Sequence, residues 1–150
     1  MRLLIQRVLS ASVTVDNEVV GKIDKGLLIL AGFQDNDTAA ILEKTATKVL
    51  QLRIFSDEND KMNLSVQDIA GSLLVVSQFT LYGDTKKGNR PSFTGAAHPE
   101  AANKLYLEWL EILSQKYPQH IASGIFGASM QVALVNDGPV TIWIDSEQWK

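Results

Sequence analysis

Three apolar runs of strand length fill the first 33 residues, with only short polar breaks between them. "LLIQRVLSASVTV" runs from Leu3 to Val15, "EVVGKI" from Glu18 to Ile23 and "GLLILAGF" from Gly26 to Phe33. Breaks as short as Asp16-Asn17 and Asp24-Lys25-Gly26 leave no room for a crossover helix, so this part of the chain is committed to neighbouring antiparallel strands. In the first run Ser10, Ser12 and Thr14 share one parity and Leu9, Ala11, Val13 and Val15 the other, the pattern of a strand with one wet face. The opening reads as a three-stranded meander.

Helical periodicity occurs twice. From Asp37 to Leu52, Ala40, Ile41, Lys44, Ala46, Lys48 and Val49 fall at the spacings of an amphipathic helix, with Asp37 or Thr38 as N-cap. From Pro99 to Tyr117, Leu105, Trp109, Ile112 and Leu113 share one face; Pro99 suits the first turn and Pro118 stops the helix. Between these lie a short strand at Arg53 to Phe55 inside a polar loop, and "SLLVVSQFTLYG", whose apolar half fits a strand buried on both faces. The stretch "GDTKKGNRPSFTGAAHP" has no apolar periodicity and reads as a long loop. The last third returns to strands, with Asn136-Asp137-Gly138-Pro139 between two apolar stretches as the turn of a hairpin. Together these predict one α+β domain over residues 1–150, a largely antiparallel sheet with two main helices covering one face. At 45% hydrophobic and 21% charged residues, the chain buries a core without disulfide or metal staples.

Several chemistries are excluded by what the sequence lacks. It has no cysteine and two histidines, His98 and His120, which read as surface residues. There is no Gly-x-Ser-x-Gly elbow, P-loop, dinucleotide fingerprint or metal-ligand spacing, so neither a serine triad nor a metal or other cofactor is expected. Net charge is −3 and the pI about 5.3, which confines any RNA contact to a local patch. "MRLLIQRV" is too short and polar for a signal peptide, and no segment reaches membrane-spanning length; the expected location is the cytoplasm.

The candidate functional residues cluster at strand ends and in loops. Alternation in "VVSQFTL" places Ser77 and Phe79 on one side and Gln78 and Thr80 on the other, either as a strand running out into solvent or as a hydroxyl and an amide lining a pocket. "KKGNRPSF" holds Lys86, Lys87 and Arg90, a solvated loop or a set of phosphate contacts. "SGIFGASM" sets Gly124 and Gly127 around Phe126, where uncrowded backbone amides can form an oxyanion site or a bulge can bend a strand. A cis Gly138-Pro139 bond would reverse the chain sharply and aim two carbonyls outward; a trans bond would be an ordinary turn.

The stretches "SQFTL", "NRPSF", "GIFGASM" and "NDGPVT", in this order and with the "MRLLIQRV" start, resemble D-aminoacyl-tRNA deacylase of the bacterial and eukaryotic type over nearly the whole chain. The Ser-Gln-Xaa-Thr motif matches Ser77, Gln78, Phe79 and Thr80, and the Gly-Pro motif matches Gly138-Pro139, without departure from the family pattern. The resemblance implies a homodimer in which a cis Gly-Pro pair from one subunit enters the other's active site and gauges the α-carbon of the aminoacyl group. An L side chain would collide with the gauge, whereas a D side chain points away and glycine has nothing to collide. The substrate would be the ester of a D-amino acid, or mischarged glycine, with the 3′-terminal adenosine of tRNA. The substrate's 2′-hydroxyl would help activate water while the Phe126 N–H steadies the oxyanion, and Ser77, Gln78 and Thr80 would shape the site and hold the adenosine. Phe79 and Met130 would contact substrate, Arg7 would brace the site, and Lys86, Lys87 and Arg90 would reach tRNA phosphates.

Two rival readings are a non-catalytic dimeric RNA-binding or interaction module, in which the Gly-Pro loop serves assembly alone, and a general small-ester hydrolase. The missing triad counts against the second.

Overall fold

The computed structural model describes residues 1–149. Its organising strand is β1 (Arg2–Val15). β2 (Glu18–Ile23) pairs antiparallel with the second half of β1 and β3 (Gly26–Gly32) with the first half, so the two follow one another along a single edge. This corrects the expected meander, because a 14-residue strand has ladder enough for both partners. A register shift of β1 between Val8 and Ser10 also breaks its alternation, and Leu9, expected on the apolar parity, is 52% exposed.

α1 (Ala39–Gln51) starts at Thr38, whose hydroxyl accepts from the Ile41 N–H. Asp37 is not the cap: buried, its carboxylate takes the Met1 ammonium at 2.5 Å, which also donates to Ser146 Oγ at 2.8 Å. The buried face of α1 is Leu42, Thr45, Ala46, Val49 and Leu50, while Ala40, Lys44 and Lys48 face solvent, a rotation from the expected stripe. β4 (Phe55–Ser56) and β5 (Met62–Leu64) form a small separate hairpin. The strand expected from Arg53 begins only at Phe55, since the Arg53 guanidinium is turned across the loop onto the Asn63 carbonyl at 2.8 Å.

β6 (Ser72–Ser77) lies parallel to β3. α2 (Pro99–Lys116) has Pro99 in its first turn and buries Ala102, Tyr106, Trp109, Ile112 and Leu113. β7 (Ile121–Ser123) is parallel to β6, and β8 (Gln131–Asp145) runs antiparallel along the other edge of β1. The sheet is therefore mixed but mostly antiparallel. Both helices cover one face, over Leu3, Ile5, Leu27, Ile29, Leu73 and Val75, and Trp109 Nε1 joins them by donating to Thr45 Oγ1 at 3.1 Å. The opposite face is not left wet, because Leu28, Leu74 and Val76 pack against Val8, Val13 and Ile23 as β2 and the far half of β1 fold over. That second core explains why β3 and β6 read as continuous apolar runs.

The expected C-terminal hairpin is absent among the described residues. The apolar stretches on either side of Gly138-Pro139 belong to one strand: Gln131 to Asn136 pair with Thr14 to Val8, and Thr141 to Asp145 with Gln6 to Arg2. Residues 137–140 are an outward bulge opposite the single residue Arg7, and the Gly138-Pro139 peptide at its tip is cis. Local turn chemistry was legible, but the pairing partner lies 117 to 143 residues away in sequence.

Candidate active site

A cleft of about 760 Å³ opens between the end of β6 and the residues preceding β8. Val76, Ala97, Ala102, Phe126, Met130 and Val132 make its apolar walls. The Ser-Gln-Phe-Thr segment enters it differently from the expected alternation, because β6 ends at Ser77 and residues Phe79–Tyr82 coil into a 3-10 turn. The Gln78 N–H still reaches the Ala31 carbonyl at 2.8 Å, so Gln78 is the hinge between strand and turn. As a result Ser77, Gln78 and Phe79 line the cleft, while Thr80 sits outside the lining and accepts a hydrogen bond from Gln78 Nε2. Phe79, 57% exposed, meets Phe93 edge to face at 5.1 Å between centroids, and the pair forms an aromatic rim.

The turn at residues 124–128 forms the opposite wall. Gly124 N–H bonds the Val75 carbonyl at 2.9 Å, tying this wall to β6. A Cβ at Gly124 would stand 2.6 Å from Met130 Sδ, so glycine is what lets Met130 approach and line the cleft. Among the described residues the Phe126 N–H meets no acceptor, leaving a main-chain donor at the cleft wall. The Phe126 ring rests on the buried Tyr106 ring at 5.9 Å. Burial pushes the Tyr106 hydroxyl up to about 12, so it is protonated at working pH.

Titratable groups along the cleft are Asp35 and His98. Asp35 Oδ1 accepts from the His98 backbone N–H at 3.2 Å, which holds the exposed His98 at the start of α2. Among the described residues Thr80 is partnered by the Gln78 amide and no general base contacts it, so its hydroxyl is not activated there as a nucleophile.

Arg7, Gly138 and Pro139 lie apart from this cleft, outside its lining. Arg7 Nε donates to the Asp137 carbonyl and pairs with its carboxylate, each at 3.2 Å, and Nη1 donates to the Ile54 carbonyl at 2.8 Å. Asn136 closes the bulge at its base, donating from Nδ2 to Thr141 Oγ1 at 3.0 Å and accepting from the Val140 N–H at 3.3 Å. Gly138 has φ +121, and a Cβ there would stand 2.9 Å from Val140 Cγ2 and 3.0 Å from Arg7 Nη2, so both conformation and space select glycine.

Lys86, Lys87 and Arg90 are exposed on a loop closed by the Asp84–Ser92 bridge, also outside the cleft lining. Asp35, Phe93 and Ala102, which do line it, were not singled out from the sequence. Phe93 stands in the "NRPSF" stretch, which was the available signal; Asp35 and Ala102 had none, since loop and helix bring them in from distant positions.

A solved structure described as "c-Myc DNA Unwinding Element Binding Protein" is 44% identical to this chain over 97% of it and 98% of that chain, with a TM-score of 0.92. A second, described as a probable eukaryotic D-amino acid tRNA deacylase, shares the fold at 18% identity and a TM-score of 0.81, covering 95% of this chain and 97% of that one. The family model for D-Tyr-tRNA(Tyr) deacylase matches residues 4–145. With a cleft that offers hydrogen-bond donors in place of an activated nucleophile, the chain belongs to the D-Tyr-tRNA(Tyr) deacylase family, hydrolases acting on aminoacyl-tRNA.

Proposed function

We propose that this hydrolase is a chiral proofreader. It cleaves the ester between a D-amino acid, or mischarged glycine, and the 3′-terminal adenosine of tRNA, as a cytoplasmic homodimer whose active sites are completed across the subunit boundary. The observation that carries this reading is the distance between the two motif halves: Ser77, Gln78 and Phe126 face the cleft, whereas Gly138 and Pro139 project from the sheet on a separate bulge. A loop braced so firmly from its own side, yet outside the lining of that cleft, is suited to entering another. Leu9, Leu134, Val135 and Trp143 are exposed around β1 and β8, which supplies the apolar surface such a pairing would bury.

In the assembled site the Gly138 and Pro139 carbonyls stand where an L side chain would have to pass. Discrimination comes from rejecting the wrong isomer, since both isomers offer the same groups for attraction. An aminoacyl ester is activated enough that orientation and oxyanion stabilisation carry the chemistry. The free Phe126 N–H steadies the developing charge, Ser77 and Gln78 orient the adenosine, Phe79 and Met130 pack against the substrate, and the 2′-hydroxyl of the substrate helps activate water. The gap between Lys86, Lys87 or Arg90 and the cleft suits contact with phosphates further along the acceptor arm.

The test is deacylation of D-tyrosyl-tRNA, L-tyrosyl-tRNA and a D-tyrosyl-tRNA lacking the terminal 2′-hydroxyl, with the ester on the 3′ oxygen. The expected result is cleavage of the D ester only, lost in the deoxy substrate. Binding of all three without turnover would instead favour the interaction-module reading. Mixing Gln78→Ala and Gly138→Ala proteins tests the shared site: random exchange puts both native halves into roughly a quarter of sites, restoring activity that neither variant has alone.

A further inference from the structure

We propose that Tyr106 is a positioning residue for this reaction: from beneath the cleft it fixes the spacing between the end of β6, which carries Ser77 and Gln78, and the turn that presents the Phe126 N–H. This rests on the reading of that N–H as the oxyanion donor.

Tyr106 belongs to α2, far in sequence from both walls, and is 2% exposed. Its hydroxyl donates to the Val75 carbonyl at 3.1 Å and lies 3.5 Å from the Gly124 carbonyl. The Val75 and Gly124 carbonyls, one from each wall, thus converge on one hydroxyl. Val75 is two residues before Ser77, and Gly124 two residues before Phe126, which puts the hydroxyl at the same short remove from each functional segment. The Tyr106 ring meanwhile supports Phe126 at 5.9 Å and is held from another side by Phe33, edge to face at 6.4 Å. A phenylalanine would fill the same space; what it would lack is the link between the walls. An oxyanion donor displaced by a fraction of an ångström loses most of its effect, because its value lies in being aimed before the charge develops.

The experiment compares wild type, Tyr106→Phe, a variant in which the peptide N–H of residue 126 is replaced by an ester oxygen, and the two changes combined, on D-tyrosyl-tRNA. Tyr106→Phe is expected to lower kcat roughly tenfold to a hundredfold with KM within about twofold. The ester variant should lose kcat similarly, and the combination should be little worse than the ester alone, since the hydroxyl acts through the group already removed. A kcat unchanged in Tyr106→Phe, or losses that simply multiply, would overturn the inference while leaving the oxyanion reading in place. A harmless ester variant would overturn that reading, and the role of Tyr106 with it. Should Tyr106→Phe fail to fold, an ester oxygen in place of the residue 125 N–H, which weakens the Gly124 carbonyl as an acceptor for the same hydroxyl, must show the same kcat loss in weaker form; an unaltered kcat there overturns the proposal.

Discussion

Arg7→Ala isolates the bulge from the rest of the molecule. Arg7, its side chain 11% exposed, pairs with Leu27 of β3 but has no ladder partner on the side where β8 bulges, and its guanidinium fills that gap by holding the Asp137 and Ile54 carbonyls. Hydrogen bonds from a charged donor contribute about 1.5–3 kcal/mol each, and the long 3.2 Å contact belongs at the low end. The Asp137 carboxylate is 34% exposed, so its ion pair adds only ~0–1 kcal/mol. The variant should therefore lose about 3–5.5 kcal/mol, and lose it locally, since the β1 ladder on either side of the bulge stays intact. If about half of that appears as freedom of residues 137–140 to yield before an L side chain, the D-to-L rate ratio falls by roughly 10–90-fold, at tenfold per 1.4 kcal/mol. Arg7→Lys should lie close to Arg7→Ala, because a point charge cannot serve two carbonyls held by a planar fork. The assay is initial-rate hydrolysis of D- and L-tyrosyl-tRNA, with thermal melting in parallel. A melting temperature lowered as expected beside an unchanged D-to-L ratio would refute the link between bracing and discrimination.

Asp37→Ala strands the buried Met1 ammonium with Ser146 as its remaining partner, costing about 3–5 kcal/mol. Calorimetry should show the melting temperature down by roughly 6–20 °C, and a drop of a degree or two would mean the pair is worth little. Thr80→Ala should keep kcat within about tenfold of wild type; a loss beyond a thousandfold with binding intact would make Thr80 the nucleophile after all. Burial raises the hydroxyls of Tyr82, Tyr106 and Tyr117 above their ordinary value of 10.0. The folded state then holds protons that the unfolded state releases, so this stabilisation is complete below pH 10 and lost as pH rises toward 12 and beyond. Melting temperatures across pH 8 to 12 should be flat up to about 10 and fall after it; a decline beginning near pH 8 would implicate other groups.

What could be read from the sequence was whatever is settled within a turn or two of chain. Thr38, Pro99 and Pro118 bracket the helices by local chemistry, and both helices end within a residue or two of expectation. The strand positions followed from apolar runs, but their partners did not. Asn136-Asp137-Gly138-Pro139 has the composition of a hairpin turn, and only the availability of β1 for both flanks makes it a bulge. Likewise Gln78 and Thr80 were expected on one side of a strand, whereas the 3-10 turn after Gln78 leaves one in the cleft and the other outside it. Tyr106 gave no sign of its reach, since in sequence it is one more apolar position on a helix face.

Because the bulge grows from the middle of β8 and not from a chain reversal, its two feet stand on the same neighbour. A hairpin tip can sway about one end; a projection footed on both sides of Arg7 can tilt only if the sheet shears with it. Arg2, five positions back along β1, grips the Leu81 carbonyl of the 3-10 turn and the Asp145 carboxylate, each at 3.0 Å. One strand thus holds both the projecting loop and the turn beside the cleft, at a separation fixed by its covalent length, about 17 Å over five extended residues. Adding or deleting a residue between Arg2 and Arg7 would shift one against the other and turn the intervening side chains to the wrong face, so this short segment is where the enzyme should tolerate changes of residue far better than changes of length.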